Sequence, residues 1–185
     1  MSTGAKIPYA TALAAAQSLA TALEPYCART LIAGSLRRRR PEVGDLELVV
    51  MPIVEPIPDL FGDPSGLFRN RLDEGLKALG IADVRKNGPK FKQFAWDELP
   101  VDLFIASAET WGCVATIRTG SSDFSKWLVT DKRHGGACPG MYKFNEGRIC
   151  QGATPVATLE ERDVFALLEL DWIEPEARVE GRWRR

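Results

Sequence analysis

The stretch GSLRRRRPEVGDLELVV, Gly34 to Val50, places four consecutive arginines, Arg37 to Arg40, ahead of an acid-x-acid pair that opens an apolar run. Residues 45–51 alternate and are rich in Val and Leu, which predicts a strand with Asp45 and Glu47 on one face and Leu46, Leu48 and Val50 on the other. Two carboxylates side by side repel each other unless a cation lies between them or one takes up a proton. Alone, the pair also fits a half-exposed strand whose polar face meets water, and the arginines fit a solvated charge run. The Gly34-Ser35 pair predicts a turn that lets backbone approach a phosphate. A following arginine can clamp nonbridging oxygens with its forked donors.

Working outward, the next acid that matters is Asp102. It stands inside VDLFIA, residues 101–106, a run apolar enough for a central strand, where an ionised carboxylate is costly without a partner. Three carboxylates converging from neighbouring strands form an oxygen-rich nest for Mg²⁺, with water and substrate phosphates completing the coordination. A pair of such ions activates an attacking hydroxyl and stabilises a leaving pyrophosphate.

The rest of the pattern is mixed α+β with a compact sheet. Helical spacing predicts helices over 9–23 and 67–79, with Gly80 ending the second, and another around 122–128. Strands are expected at 29–33, 90–96 and 101–106, with a turn at Asp97-Glu98 and a short hairpin near 142–150. The proline- and glycine-rich MPIVEPIPDLFGDPSG predicts a loop. Thr158 is expected to cap a last helix over 159–170, with Glu161 completing a capping box. Trp96, Trp111 and Trp127 read as core or rim aromatics, and GRWRR as a frayed basic tail.

The chain has 185 residues, 45% of them hydrophobic, and a net charge of -1, which suits one domain or one domain with a small lobe. So little net charge argues against a coat of positive charge for tight nonspecific DNA binding, although a local patch can still attract phosphate. Cys27, Cys113, Cys138 and Cys150 are scattered, and His134 is the only histidine, so zinc is not expected and free thiols in a reducing, cytoplasmic setting are. The Ala-rich start reads as a mature N-terminal helix, neither a signal peptide nor a membrane span.

Taken together, Gly-Ser, the arginines and Gly-Asp-x-acid resemble the signature of the DNA polymerase beta superfamily of nucleotidyltransferases, and specifically of family X polymerases. VDLFIA and TGSSDFSKWL, residues 119–128, resemble the family's third-carboxylate strand and its Thr-Gly-Ser turn into a helix, and the closing residues 157–178 are similar to its last helix and Pro-Glu-rich end. The resemblance implies a nucleotidyltransferase palm, residues 1–110, with a small mixed or antiparallel sheet flanked by helices. A small nucleotide-selecting lobe follows, residues 111–185, without the lyase and helix-hairpin-helix regions of larger relatives.

It further implies that Asp45, Glu47 and Asp102 bind two Mg²⁺ ions, for which Mn²⁺ substitutes, and that Asp102 helps deprotonate a primer 3′-hydroxyl. Ser35 and Arg38 match positions that contact the triphosphate of a dNTP, with Gly34 in the same turn and Gly44 at the triphosphate's end. Gly120 and Ser121 match a turn lining the sugar pocket, and Ser125 stands where an Asn touches the incoming base. Other departures are Glu47 for the usual Asp, and Ile117-Arg118 for an aromatic pair. The leading expectation is a monomeric DNA polymerase, bacterial or from a phage, filling short gaps on primer-template or gapped DNA in repair. The alternatives are a template-independent transferase acting on RNA, a small molecule or a protein, and a catalytically silent nucleic-acid-binding protein.

Overall fold

The computed structural model of the chain describes residues 6–59, 61, 63–81, 83–179, 181 and 183. The first part runs β1 (Ile7–Pro8), α1 (Tyr9–Leu23), β2 (Cys27–Ile32), α2 (Gly34–Arg37), β3 (Glu42–Val43) and β4 (Leu46–Pro52). It continues with β5 (Val54–Pro58), β6 (Pro64–Asn70), α3 (Arg71–Ala78), β7 (Lys86–Asn87), β8 (Phe91–Trp96) and β9 (Leu99–Ile105). The remainder is α4 (Trp111–Thr119), α5 (Ser122–Val129), β10 (Tyr142–Asn145), β11 (Arg148–Gln151), β12 (Thr154–Val156) and α6 (Glu161–Leu167). Among the described residues no helix is long and apolar enough to cross a membrane.

A five-stranded sheet in the order β2-β4-β9-β8-β7 is the scaffold, with β4 and β9 parallel at its centre and the other pairs antiparallel. The predicted alternation along β4 holds: Leu46, Leu48 and Val50 are buried beneath α1, against its Leu19 and Leu23. A second core gathers Phe124, Leu128, Ile149, Val164, Phe165 and Leu168 around α4, α5, α6 and the β10–β12 sheet. Trp183 closes this core, edge-on to Phe124 at 5.3 Å, so that part of the closing segment is packed where a frayed tail was expected. Arg182, Arg184 and Arg185 of that segment lie outside the described residues.

Several expectations change. The proline-rich loop is an antiparallel ribbon, β5 with β6, because an isolated pair has open edges where proline costs no ladder bond. Leu67 and Phe68, read as the apolar face of a helix, are exposed on that ribbon, and α3 starts only at Arg71 behind the Asn70 cap, whose side chain accepts from Leu72 N–H at 3.0 Å. Helix α4 was not predicted. Its Gly, Thr and Val content is poor for a helix, but its burial between lobes overrides propensity, and a side chain at Gly112 would meet the Glu160 carbonyl. At α6 the cap is Glu160 with Asp163, whereas Thr158 is buried and its hydroxyl accepts from Cys113 N–H at 3.1 Å.

Freed from the cap, Glu161 joins the lobes. Its carboxylate takes Arg37 at 2.5 Å from the sheet side and the fully buried Arg178 at 2.6 Å from its own side. Arg37 also donates to Thr119 Oγ1 at 2.6 Å, and Arg29 pairs with Glu160 at 2.8 Å while lying 4.2 Å over Trp111. The arginine run is thus divided, since Arg37 serves the lobe interface and Arg39 reaches Glu176 at 2.9 Å. Removing one member of a buried ion network strands the others. Glu161→Gln is therefore expected to lower unfolding free energy by about 3 kcal/mol, read from the urea midpoint. A loss below about 0.5 kcal/mol would show that Arg178 finds compensation elsewhere.

Candidate active site

The strand register sets the acids. Glu47 and Asp102 are partners across the parallel β4–β9 ladder, and Asp45 lies just ahead of β4. Antiparallel β8 places Gln93 opposite Asp102, and its Nε2 donates to Asp102 Oδ1 at 2.8 Å. Sequence reasoning missed Gln93, because only the pairing of two strands aims it at the acid. On the other side, Ala33 N–H donates to Glu47 O at 2.8 Å and delivers the chain into α2. There Gly34 has φ +59°, and a Cβ would fall 1.8 Å from Glu47 Oε2. Only glycine leaves room for that carboxylate.

Two concavities flank the acids. A polar recess of about 490 Å³ is lined by Ser35, Arg38, Arg40, Gly44, Ser121 and Lys6. A Cβ on Gly44 would meet nothing within 4 Å, so the recess is open above its backbone. Arg38 is held there by donating to the carbonyls of Thr119 at 2.7 Å and Gly120 at 2.9 Å. Lys6, not singled out from the sequence, enters because β1 pairs with β3 beside the recess. The second concavity is a cleft of about 1120 Å³ whose walls include Asp102, Phe104, Ile117, Arg118, Lys90 and Arg148.

The remaining candidates are more structural in their contacts. Ser121 caps α5, accepting from Phe124 N–H at 3.2 Å, and Gly120 is packed on Phe124. Ser125 turns its hydroxyl inward to the Ile117 carbonyl at 2.7 Å.

The electrostatics couple the acids to one another. Burial raises the Asp45 pKa, the Asp102 charge raises it further, and Lys6 and Arg38 oppose. Burial pushes Glu47 up to about 7, with Asp45 and Asp102 adding to the shift and Arg38 and Arg118 resisting it. Among the described residues no three acidic, histidine or cysteine side chains are drawn together as a finished metal cage. The donor set nevertheless fits a hard divalent cation such as Mg²⁺. All three side chains offer carboxylate oxygen, and a cation between them would relieve the repulsion that raises Asp45 and Glu47.

Comparison with known proteins bears on this arrangement. The family described as DNA polymerase beta thumb matches residues 116–179. Leishmania infantum polymerase beta, solved as a ternary P/T complex, superposes with a TM-score of 0.69 over 94% of this chain and 77% of its own, at 18% identity. The chain shares the fold of that polymerase, and its residues 116–179 are similar to a polymerase beta thumb. No curated protein sequence matches it. The matched segment begins inside α4 and carries the Thr119–Ser121 turn that meets Arg38.

The Glu47 shift has a stability signature. Its folded pKa lies above the ordinary 4.5, so between about pH 4.5 and 7 the folded protein holds a proton that the unfolded chain has released. Metal-free stability then falls as pH rises through that window. Glu47→Gln should remove this loss and gain about 3 kcal/mol on wild type between pH 4 and pH 8, measured by denaturant titration in chelator. A difference between the two proteins that is independent of pH would mean that Glu47 ionises freely.

Proposed function

We propose that the chain is a metal-dependent DNA nucleotidyltransferase, a polymerase that adds dNMP from a dNTP to a primer 3′-hydroxyl and releases pyrophosphate in short-gap repair synthesis. The observation that supports it best is the Glu47–Asp102 pairing between a polar recess and a wide cleft. In this reading residues 1–110 act as palm and 111–185 as the nucleotide-selecting lobe, and the protein works as a cytoplasmic monomer.

The triphosphate lies in the recess, where Ser35 and Arg38 grip its oxygens and the open backbone of Gly44 receives its end. The primer enters by the cleft and presents its 3′-oxygen beside Asp102. Asp45, Glu47 and Asp102 would hold two Mg²⁺ ions, or Mn²⁺ in their place, and such ions would supply Lewis acidity to the phosphoryl oxygens. The 3′-oxygen attacks the α-phosphorus, the bond to the bridging oxygen breaks, and pyrophosphate leaves towards Arg38. Asp102, steadied at Oδ1 by Gln93, accepts the hydroxyl proton on its other oxygen.

A second reading keeps the chemistry and relaxes the template. Ser125 spends its hydroxyl on the Ile117 carbonyl, and Arg118 occupies a place the family gives to an aromatic residue, so base selection has fewer free contacts. The two readings separate in one assay: addition to a labelled primer on one-nucleotide-gapped duplex and on single strand, each dNTP or NTP offered alone with Mg²⁺. Template-directed dNMP addition is expected, with a loss of at least about 1000-fold in a folded Asp102→Ala variant. Addition that ignores the template favours the second reading, and turnover retained in Asp102→Ala would sink both.

A further inference from the structure

Arg118 has no role in the scheme above, yet it stands beside the reacting groups. It projects from the last turn of α4 into the cleft, where its guanidinium lies 3.9 Å from the ring centroid of Phe104. Phe104 follows Asp102 by two residues on β9, so both rise from the same face of the strand. Among the described residues Arg118 forms no ion pair, and burial lowers its pKa while the charges of Glu47 and Asp102 oppose that shift. A guanidinium stacked on an aromatic face keeps the N–H donors at its edge available.

The cations that face the acids are therefore held differently. Arg38 is pinned by two backbone carbonyls, at 2.7 and 2.9 Å. Lys6 faces Asp45 from the recess. Arg118 alone among these three rests on a ring in the wide cleft, and among the described residues no hydrogen bond holds its guanidinium. It is close enough to offset the carboxylates and free enough to leave them.

We propose that Arg118 is the resident counter-cation of the Asp45–Glu47–Asp102 cluster and sets its affinity for divalent metal. While the cleft is empty, the guanidinium offsets the carboxylates and repels an entering metal ion. When a polyanionic strand fills the cleft, a phosphate draws the guanidinium off Phe104, and the cluster becomes a stronger metal site. Metal occupancy is in this way coupled to the arrival of substrate. The inference rests on the nucleotidyltransferase reading only in taking this cluster as the metal site.

The test measures Mn²⁺ binding by electron paramagnetic resonance at low ionic strength without nucleotide, for wild type, Arg118→Met and Asp102→Asn. Arg118→Met, which keeps the stack on Phe104 and drops the charge, should bind Mn²⁺ about tenfold more tightly than wild type at an unchanged melting temperature. Equal or weaker binding by folded Arg118→Met, with Asp102→Asn still weakening the site, overturns the role of Arg118 and leaves the metal reading standing. Binding that is indifferent to Asp102→Asn overturns both. If Arg118→Met does not fold, the wild-type protein still decides the matter. Its Arg118 Nε–H resonance, assigned by comparison with Arg118→Lys, should move with the same midpoint as Mg²⁺ binding, and a resonance that stays fixed while Mg²⁺ binds contradicts the proposal.

Discussion

One carboxylate holds the two halves of this protein in register. Glu161 sits buried between Arg37, which leaves the sheet at the end of α2, and Arg178, which is sealed within the second core. Such a network recovers its desolvation cost only when its geometry is satisfied. It thereby selects one relative placement of the lobes over the many that apolar packing alone would tolerate. Arg178 is further hemmed in by Trp172 at 4.8 Å and Phe165 at 5.0 Å, so the second core and the ion network constrain each other.

The consequences reach the site through one peptide bond. With Arg37 committed to Glu161 and Thr119, the neighbouring Arg38 is turned toward the end of α4, where the Thr119 and Gly120 carbonyls receive it. Its charge then faces Glu47 and Asp45. The recess is therefore shaped jointly by the start of α2, with Ser35, and by the Thr119–Ser121 turn. Against this frame β4 and β9 place acids whose ionisation burial and mutual repulsion oppose, as the raised Asp45 and Glu47 show. Strand pairing holds the backbone where those side chains are costly, and a bound cation would offset that cost.

Much of this was legible in the sequence, and the reasons differ from element to element. Helix α1 spans the predicted residues because its alanines and leucines carry both propensity and period. The β4 face was readable because alternation is a property of the chain itself. The β5–β6 ribbon was not, since proline signals a break in a central strand and carries less weight in an isolated pair. Helix α4 owes its form to burial from both sides, which no window of nine residues reveals. At the site, Asp45, Glu47, Asp102 and Arg38 stood out by type and spacing. Gln93, Lys6 and the double duty of Glu161 depended on which strands and lobes meet. Thr158 with Glu161 made a sound capping box on paper, but each side chain found a stronger tertiary partner.

The central claim is that the recess takes a triphosphate whose reacting phosphorus faces the paired acids. The measurement that addresses it most directly is a crystal structure with a non-hydrolysable deoxynucleoside triphosphate and Mg²⁺. The account predicts phosphate density against Ser35, Arg38 and Gly44, with metal bound to Asp45, Glu47 and Asp102. A triphosphate seated in the cleft instead, with the recess filled only by solvent, would contradict it.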